Sequence, residues 1–300
     1  DALAKHQQWC SDLKVVESLC EIYSKAVSSI KLPCASLVPG IVQAVMTIFS
    51  VHPHPPCLGV IKVITEVFGS QEGVRDEGVS AALRQALESA CQRSLECLQP
   101  NMLHQLPELI GELFEMVHTF VMFSPNLLLS SPIIASLFST ATLCVRQRER
   151  DPVRASSNFL ATLLNPGEKA VQTPIWQASW PTVTKCVEQH GEELVASVLY
   201  AVADTCPTHL MKPLGSVLYS MLAAYPGPTQ QLIVKVIGRP DYPVGGEGAQ
   251  VLTEADRQVV CMVATRNPAL PKQNFECFIQ DIGKVCRRDA TGDTLLAYQI

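Results

Sequence analysis

The sequence predicts an all-α fold, an α-solenoid of about six to seven antiparallel helix pairs running as one continuous array over residues 1–300. Three observations carry this expectation. Apolar residues recur at steps of three and four from end to end, and no strand-like alternation competes with them. The 21 prolines cluster where helices should begin, the position at which a missing N–H is lost without cost. Helical segments of about 12 to 20 residues alternate with short turns of Pro, Gly, Asp or Ser, roughly 13 segments in all, so that a helix pair recurs about every 45 residues.

The first segment carries Leu13, Val16, Leu19, Cys20, Tyr23, Ala26, Val27 and Ile30 on one apolar face, with Asp12 placed to cap it. Segments at about 36–51, 57–68 and 78–98 follow. The clearest helix comes next, with Leu106, Leu109, Ile110, Leu113, Phe114, Val117 and Val121 on one side and Glu108, Glu112 and Glu115 on the other. Further segments are expected at about 132–147, 152–164, 174–189, 191–205, 209–224, 228–238, 254–265 and 272–288. Ser131-Pro132, Asp151-Pro152 and Thr173-Pro174 each read as a capping residue followed by a proline at the first helical position. Thr253 with Asp256 three residues on reads as a capping box, Asp replacing the usual Glu or Gln.

The period matches HEAT or armadillo units, roughly 40 to 47 residues each. An irregular helical bundle would give the same rhythm; uniform helix and turn lengths favour the solenoid. Asp151-Pro152-Val153-Arg154 adds to this, because HEAT units often carry an acid and an Arg at the start of the second helix, although any well-capped helix with a surface arginine would read the same.

Composition narrows the function. The chain has 23 Lys and Arg against 28 Asp and Glu, a formal charge of −5, which argues against a basic nucleic-acid binder. Hydrophobic residues make up 47% and charged ones 17%, and the mean hydropathy is +0.18, so much of every helix should be buried. The first residue is Asp1, and the chain is therefore expected to be a fragment or processed product of a longer protein. Leu32 to Ile61 and Thr119 to Val145 contain no Lys, Arg, Asp or Glu, yet prolines 33, 39, 53, 55 and 56 in the first and 125 and 132 in the second should break them as membrane spans.

The 12 cysteines include no CxxC, and Cys20, Cys91 and Cys144 fall on apolar helical faces; with no Asn-x-Ser/Thr anywhere, a reducing cytosolic or nuclear compartment is expected. His52, His54 and Cys57 sit close together in a Pro-rich turn, but no second ligand cluster of zinc spacing lies nearby, so no metal and no cofactor are expected. No nucleophile elbow, phosphate-binding loop, kinase set or HExxH is present, and no catalytic residue is assigned. The Gly-rich run Pro243 to Gly248 follows a helix and not a strand, and reads as a surface linker. His118 reads as a hydrogen-bonded structural histidine, Trp176 and Trp180 as packing residues on one helical face, and Arg146, Arg148 and Arg150 as a solvated helix end. What remains is surface: Glu17, Glu21, Glu66, Glu108, Glu112 and Glu115 on helix faces that a solenoid can present to a basic partner, with an ordinary solvated face as the competing reading.

Two stretches carry a family resemblance. Val15-Val16-Glu17-Ser18-Leu19-Cys20 with Ile48-Phe49-Ser50-Val51-His52-Pro53-His54-Pro55, and further on Pro152-Val153-Arg154-Ala155-Ser156-Ser157-Asn158-Phe159-Leu160, resemble the C-terminal half of the importin-thirteen and transportin-SR branch of the importin-β superfamily. The helical spacing is compatible through Arg288, so the resemblance covers most of the chain at low identity. It implies a HEAT superhelix in the C-terminal part of a larger karyopherin, a transport receptor that exchanges protein cargo against RanGTP, meets nucleoporins and shuttles between cytoplasm and nucleus. It implies no enzymatic activity, no direct nucleic-acid contact and no membrane insertion, and it places most Ran contacts on N-terminal repeats outside this chain. The cargo candidates are then Glu17, Glu21, Lys25, Glu66, Glu108, Glu112, Glu115 and Arg154. One departure matters. The helix that is arginine-rich in transportin-SR and receives phosphorylated Arg-Ser domains here carries Ser18, Glu21, Ser24 and Ser28, with Lys25 between them, and Glu17 and Glu21 should repel phosphoserine. Importin-thirteen-like cargo is the expectation, with a HEAT scaffold that ignores Ran as the alternative.

Overall fold

The computed structural model describes residues 7–69, 77–239, 242–243, 252–267 and 269–299, and among them every regular element is helical. The helices are α1 (Gln7–Cys10), α2 (Leu13–Ile30), α3 (Val38–Val51), α4 (Pro55–Phe68), α5 (Glu77–Cys97), α6 (Pro107–Phe123), α7 (Pro125–Leu129), α8 (Ile134–Cys144), α9 (Arg150–Leu164), α10 (Glu168–Val171), α11 (Pro174–Tyr200), α12 (Met211–Ala224), α13 (Pro226–Ile237), α14 (Glu254–Ala264), α15 (Lys272–Cys286) and α16 (Asp293–Leu296). Like packs on like. Helix α2 stacks on α4 and α4 on α6, while α3 stacks on α5 beside them. Helix α9 stacks on α12 and α12 on α15. Stacking of non-adjacent helices in parallel rows, with each repeat touching its neighbours, is the arrangement of an all-α HEAT-repeat solenoid.

The chain forms two compact units. Unit 1 comprises Asp1–Leu137 with Gln172–Ser179, and unit 2 comprises Phe138–Val171 with Trp180–Ile300. Phe49, Phe68, Phe114 and Phe120 fill the core of unit 1, and Phe138, Phe159, Phe275 and Phe278 that of unit 2. Aromatic side chains of this size supply much of the burial energy that holds stacked helices together.

Local rules account for most helix ends. Asp12 caps α2, accepting from the amides of Lys14 at 2.9 Å and Val15 at 3.4 Å. Thr253 and Asp256 form a reciprocal capping box at the start of α14. Prolines open α4, α6, α11 and α13, where their missing N–H has no intrahelical partner to lose.

Several expectations are corrected. Residues 174–189 and 191–205 are not two helices: α11 runs unbroken from Pro174 to Tyr200 through Pro181 and Gly191. Gly191 serves close packing instead of a turn, since a Cβ there would lie 2.9 Å from Met221 Cε. Asp151 does not cap α9, which begins one residue earlier at Arg150; from the first turn Asp151 reaches Arg154 at 3.6 Å. The Ser131 hydroxyl accepts from the Ile133 amide at 3.5 Å in a turn, and α8 starts only at Ile134. The apolar face of α2 is narrower than its sequence stripe, with Val16, Cys20 and Val27 buried but Leu13 and Ile30 exposed. Pro33 and Pro39 do not break the apolar stretch before His52: a 3₁₀ turn at Leu32–Leu37 continues into α3, giving 20 helical residues of mean hydropathy 1.8. That length and composition suffice to cross a membrane, but Val38, Val42, Val45, Ile48 and Phe49 are buried, and α3 packs on α4 and α5. The Gly-rich run from Pro243 to Gly248 lies, beyond Pro243, outside the described residues.

Candidate functional site

Stacking of α2 on α4 and of α4 on α6 brings Glu17, Glu21, Glu66, Glu108, Glu112 and Glu115 onto consecutive helices of one row in unit 1. Glu17, Glu21, Glu66 and Glu108 are exposed, and Glu112 and Glu115 are half-buried. The row is tied across by Lys62 of α4, whose Nζ lies 3.9 Å from Glu112 Oε2. Glu112 Oε2 is buried against α4, where a Cβ on Gly59, one turn earlier, would meet it in ordinary contact at 3.6 Å. On α2, Lys25 pairs with Glu21 at 2.6 Å and holds its carboxyl below the usual carboxylate range. Arg154, the last residue of the set, lies on α9 in unit 2, exposed and paired with Asp151.

The charge distribution sharpens this picture. Unit 1 contains 8 Lys and Arg against 13 Asp and Glu, or 8 − 13 = −5, whereas unit 2 contains 15 of each and is neutral. The whole formal charge of the chain therefore resides in the unit that bears the glutamate row. A local excess of one sign raises the encounter rate with partners of the other.

Other features singled out in the sequence have structural explanations. His118 is half-buried, and burial pushes it below the ordinary histidine value of 6.5 while Glu115 pulls the other way. Trp176 is buried, and Trp180 stacks on Tyr225 at 5.8 Å with the Tyr225 hydroxyl 3.0 Å from Thr184 Oγ1. Arg146, Arg148 and Arg150 are exposed, with Arg146 lying over the Tyr200 ring at 5.7 Å. His52 and His54 stack at 5.8 Å, and His54 Nε2 donates to the Cys10 carbonyl at 3.1 Å. Among the described residues no group of three His, Cys, Asp or Glu is arranged to hold a metal ion. The cysteines are free thiols. Burial pushes Cys144, Cys206 and Cys286 up to about 12, which makes them poor nucleophiles.

Two arginines whose roles sequence reasoning missed organise unit 2. Arg257 of α14 donates to the carbonyls of Ile237, Arg239 and Tyr242, closing the C-terminal end of α13. Arg287, the C-cap that follows α15, donates to the carbonyls of Ala201 and Val202 just beyond α11. Each places a cation where helix carbonyls lack partners. A groove of about 620 Å³ between α3 and α5, lined by Pro39, Gln43, Met46, Ala81, Gln85 and Arg93 among others, was also not foreseen.

Comparison with known proteins agrees with this architecture. The family model of the importin 13 repeat matches residues 146–228. Importin-13 of Mus musculus and of Homo sapiens are each 22% identical to this chain over 215 residues, 71% of this chain and 21% of theirs. Importin-13 of Gallus gallus is 23% identical over 216 residues. The chain thus spans about a fifth of the length of the curated relatives it matches. A solved structure described as the importin13 cytosolic state superposes with a TM-score of 0.77 at 16% identity, covering 96% of this chain and 30% of that one. By sequence over part of its length and by fold over nearly all of it, this chain is similar to importin-13.

Proposed function

We propose that the chain is a C-terminal HEAT-repeat segment, one continuous solenoid, of a longer karyopherin, and that it binds folded protein cargo for RanGTP-regulated transport between cytoplasm and nucleus. It acts by binding and not by catalysis. The observation that carries the cargo reading is the glutamate row of α2, α4 and α6, in the unit that holds the whole net charge of −5. A cargo with a basic surface is attracted at long range and then meets Glu17, Glu21, Glu66, Glu108, Glu112 and Glu115, with Lys25 setting register on α2. Ran acts chiefly through N-terminal repeats of the receptor outside this chain, and nucleoporins are further partners. Stacked repeats flex by small changes at many interfaces, so cargo and Ran each favour the curvature they bind better, a population shift that requires differential affinity for the two shapes.

The test is charge reversal of Glu108, Glu112 and Glu115 to Lys, followed by stopped-flow association with a basic cargo at several salt concentrations. The reading predicts an association rate lowered at least roughly tenfold at low salt and a flattened salt dependence. Unchanged association at low salt would remove the row from the binding surface.

A further inference from the structure

The turn Ala201–Thr205 is the one place among the described residues where helical bonding widens to π geometry. The Cys206 amide reaches back five residues to the Ala201 carbonyl at 2.8 Å. Pro207, five residues after Val202, offers no N–H, so the Val202 carbonyl lacks the donor that π geometry would give it, whereas Ala201 already has the Cys206 amide. They sit in the core: Ala201 and Val202 are fully buried and Ala203 is 2% exposed. A buried carbonyl without a donor is costly.

Arg287, the C-cap of α15, supplies the side-chain donors. Arg287 gives Nη2 to Ala201 O at 3.1 Å and Nε to Val202 O at 3.0 Å, across 86 and 85 residues of chain. One turn earlier, Gly283 lets the two backbones touch: a Cβ there would stand 2.8 Å from Val202 O, 2.8 Å from Val202 Cγ1 and 3.0 Å from Met211 Cε. Met211 is the first residue of α12. A single side chain thus holds the widened turn, packed tightly against the start of the next long helix.

The same turn has a second way to satisfy its carbonyls. In α geometry the Thr205 and Cys206 amides bond to Ala201 and Val202 directly, and neither carbonyl needs Arg287. A π turn contains about one residue more than an α turn, so closing it winds in one residue. Everything after it then rotates by about 100° and shifts by about 1.5 Å about the helix axis. We propose that Ala201–Thr205 is a register joint, a π turn held open by Arg287, whose closure re-aims the entry of α12 against α11 and so changes the stacking angle within unit 2. This inference rests on the geometry of unit 2 and stands apart from the cargo reading.

Hydrogen exchange of the full chain, read by mass spectrometry, tests it with three variants: Arg287→Met, deletion of Ala203, and both together. Arg287→Met frees the turn to pass back and forth between π and α bonding, each passage breaking its amide hydrogen bonds, and is expected to speed exchange over residues 203–210 at least tenfold while the middles of α9, α12 and α15 keep their protection. Deleting Ala203 leaves the turn α-helical, and adding Arg287→Met to the deletion is expected to change exchange there less than twofold. Undiminished protection in Arg287→Met, equal acceleration across all of unit 2, or a deletion variant as sensitive to Arg287→Met as the parent would each overturn the joint. Should the deletion fail to fold by circular dichroism, Arg287→Lys decides. An ammonium replaces the fork with one centre and is expected to give intermediate exchange at 203–210; exchange equal to the parent would overturn the proposal.

Discussion

Substituting alanine at Gly283 and at Gly40 should move stability in opposite directions, although the chemical change is the same. Gly40 lies exposed in the first turn of α3, and a Cβ there meets nothing within 4 Å. Only helix propensity changes, which favours alanine by up to about 1 kcal/mol and somewhat less so near a helix end. At Gly283 the same gain of about 1 kcal/mol is opposed by three contacts of 3.0 Å or less, to Val202 O, Val202 Cγ1 and Met211 Cε. Methionine yields readily. The valine is stiff, and its carbonyl is held by Arg287 at 3.0 Å, so relief requires a backbone shift that lengthens that bond. Overpacking of this kind costs about 1–3 kcal/mol, and the pinned carbonyl puts Gly283 in the upper part of that range. The net effect is a loss of about 1–2 kcal/mol for Gly283→Ala and a gain of up to about 1 kcal/mol for Gly40→Ala. For a chain of this length each kcal/mol moves the thermal midpoint by roughly 2 °C. Thermal unfolding followed by circular dichroism should therefore show Gly283→Ala lowered by about 2–4 °C and Gly40→Ala raised by no more than about 2 °C. Two variants shifting in the same direction would refute the close contact of α15 with the turn at Val202.

Three further outcomes are expected. Arg257→Met should destabilise unit 2 by about 2–4 kcal/mol in urea unfolding, because the carbonyls of Ile237, Arg239 and Tyr242 lose a charged donor while partly buried. His118 should make the protein less stable as pH falls below about 6.5: its folded pKa is depressed by burial, so the unfolded chain takes up the proton first, and His118→Gln should flatten the stability profile between neutral pH and the lower folded value. Arginine at Ser18, Glu21 and Ser24 together should raise affinity for a phosphorylated Arg-Ser peptide by roughly tenfold or more in a fluorescence anisotropy titration; no gain would show that this helix does not face cargo.

Much of the fold could be read before any coordinates because helix formation is local. The apolar stripe of α6 and the caps at Asp12 and Thr253 each depend on residues within a few positions, and each stands where its pattern indicates. Failures begin where a distant partner decides. Gly191 resembles a break but is packed against Met221, which lies 30 residues on and keeps α11 in one piece. Arg257 and Arg287 carry no signal within their own segments, because the carbonyls they serve lie up to 86 residues away. Nothing in the spacing of Ala201 to Thr205 announces a π turn, since its side-chain donor, Arg287, lies 85 and 86 residues on. The glutamates could be selected as exposed positions, but their common row depends on which helices stack, and the residue that joins them, Lys62, carried no signal of its own. Arg154, chosen by the same reasoning, belongs to the other unit.

The central claim is that the glutamate row serves a receptor whose cargo binding responds to Ran. The most direct measurement is affinity capture from cell extract on the full receptor carrying this segment, as the parent and with Glu108, Glu112 and Glu115 reversed to Lys, each with and without Ran locked in its GTP state. A set of basic proteins should be held by the parent, displaced by RanGTP and absent from the reversed variant. Partners retained equally in all four samples would contradict it and identify a HEAT scaffold that assembles proteins without Ran.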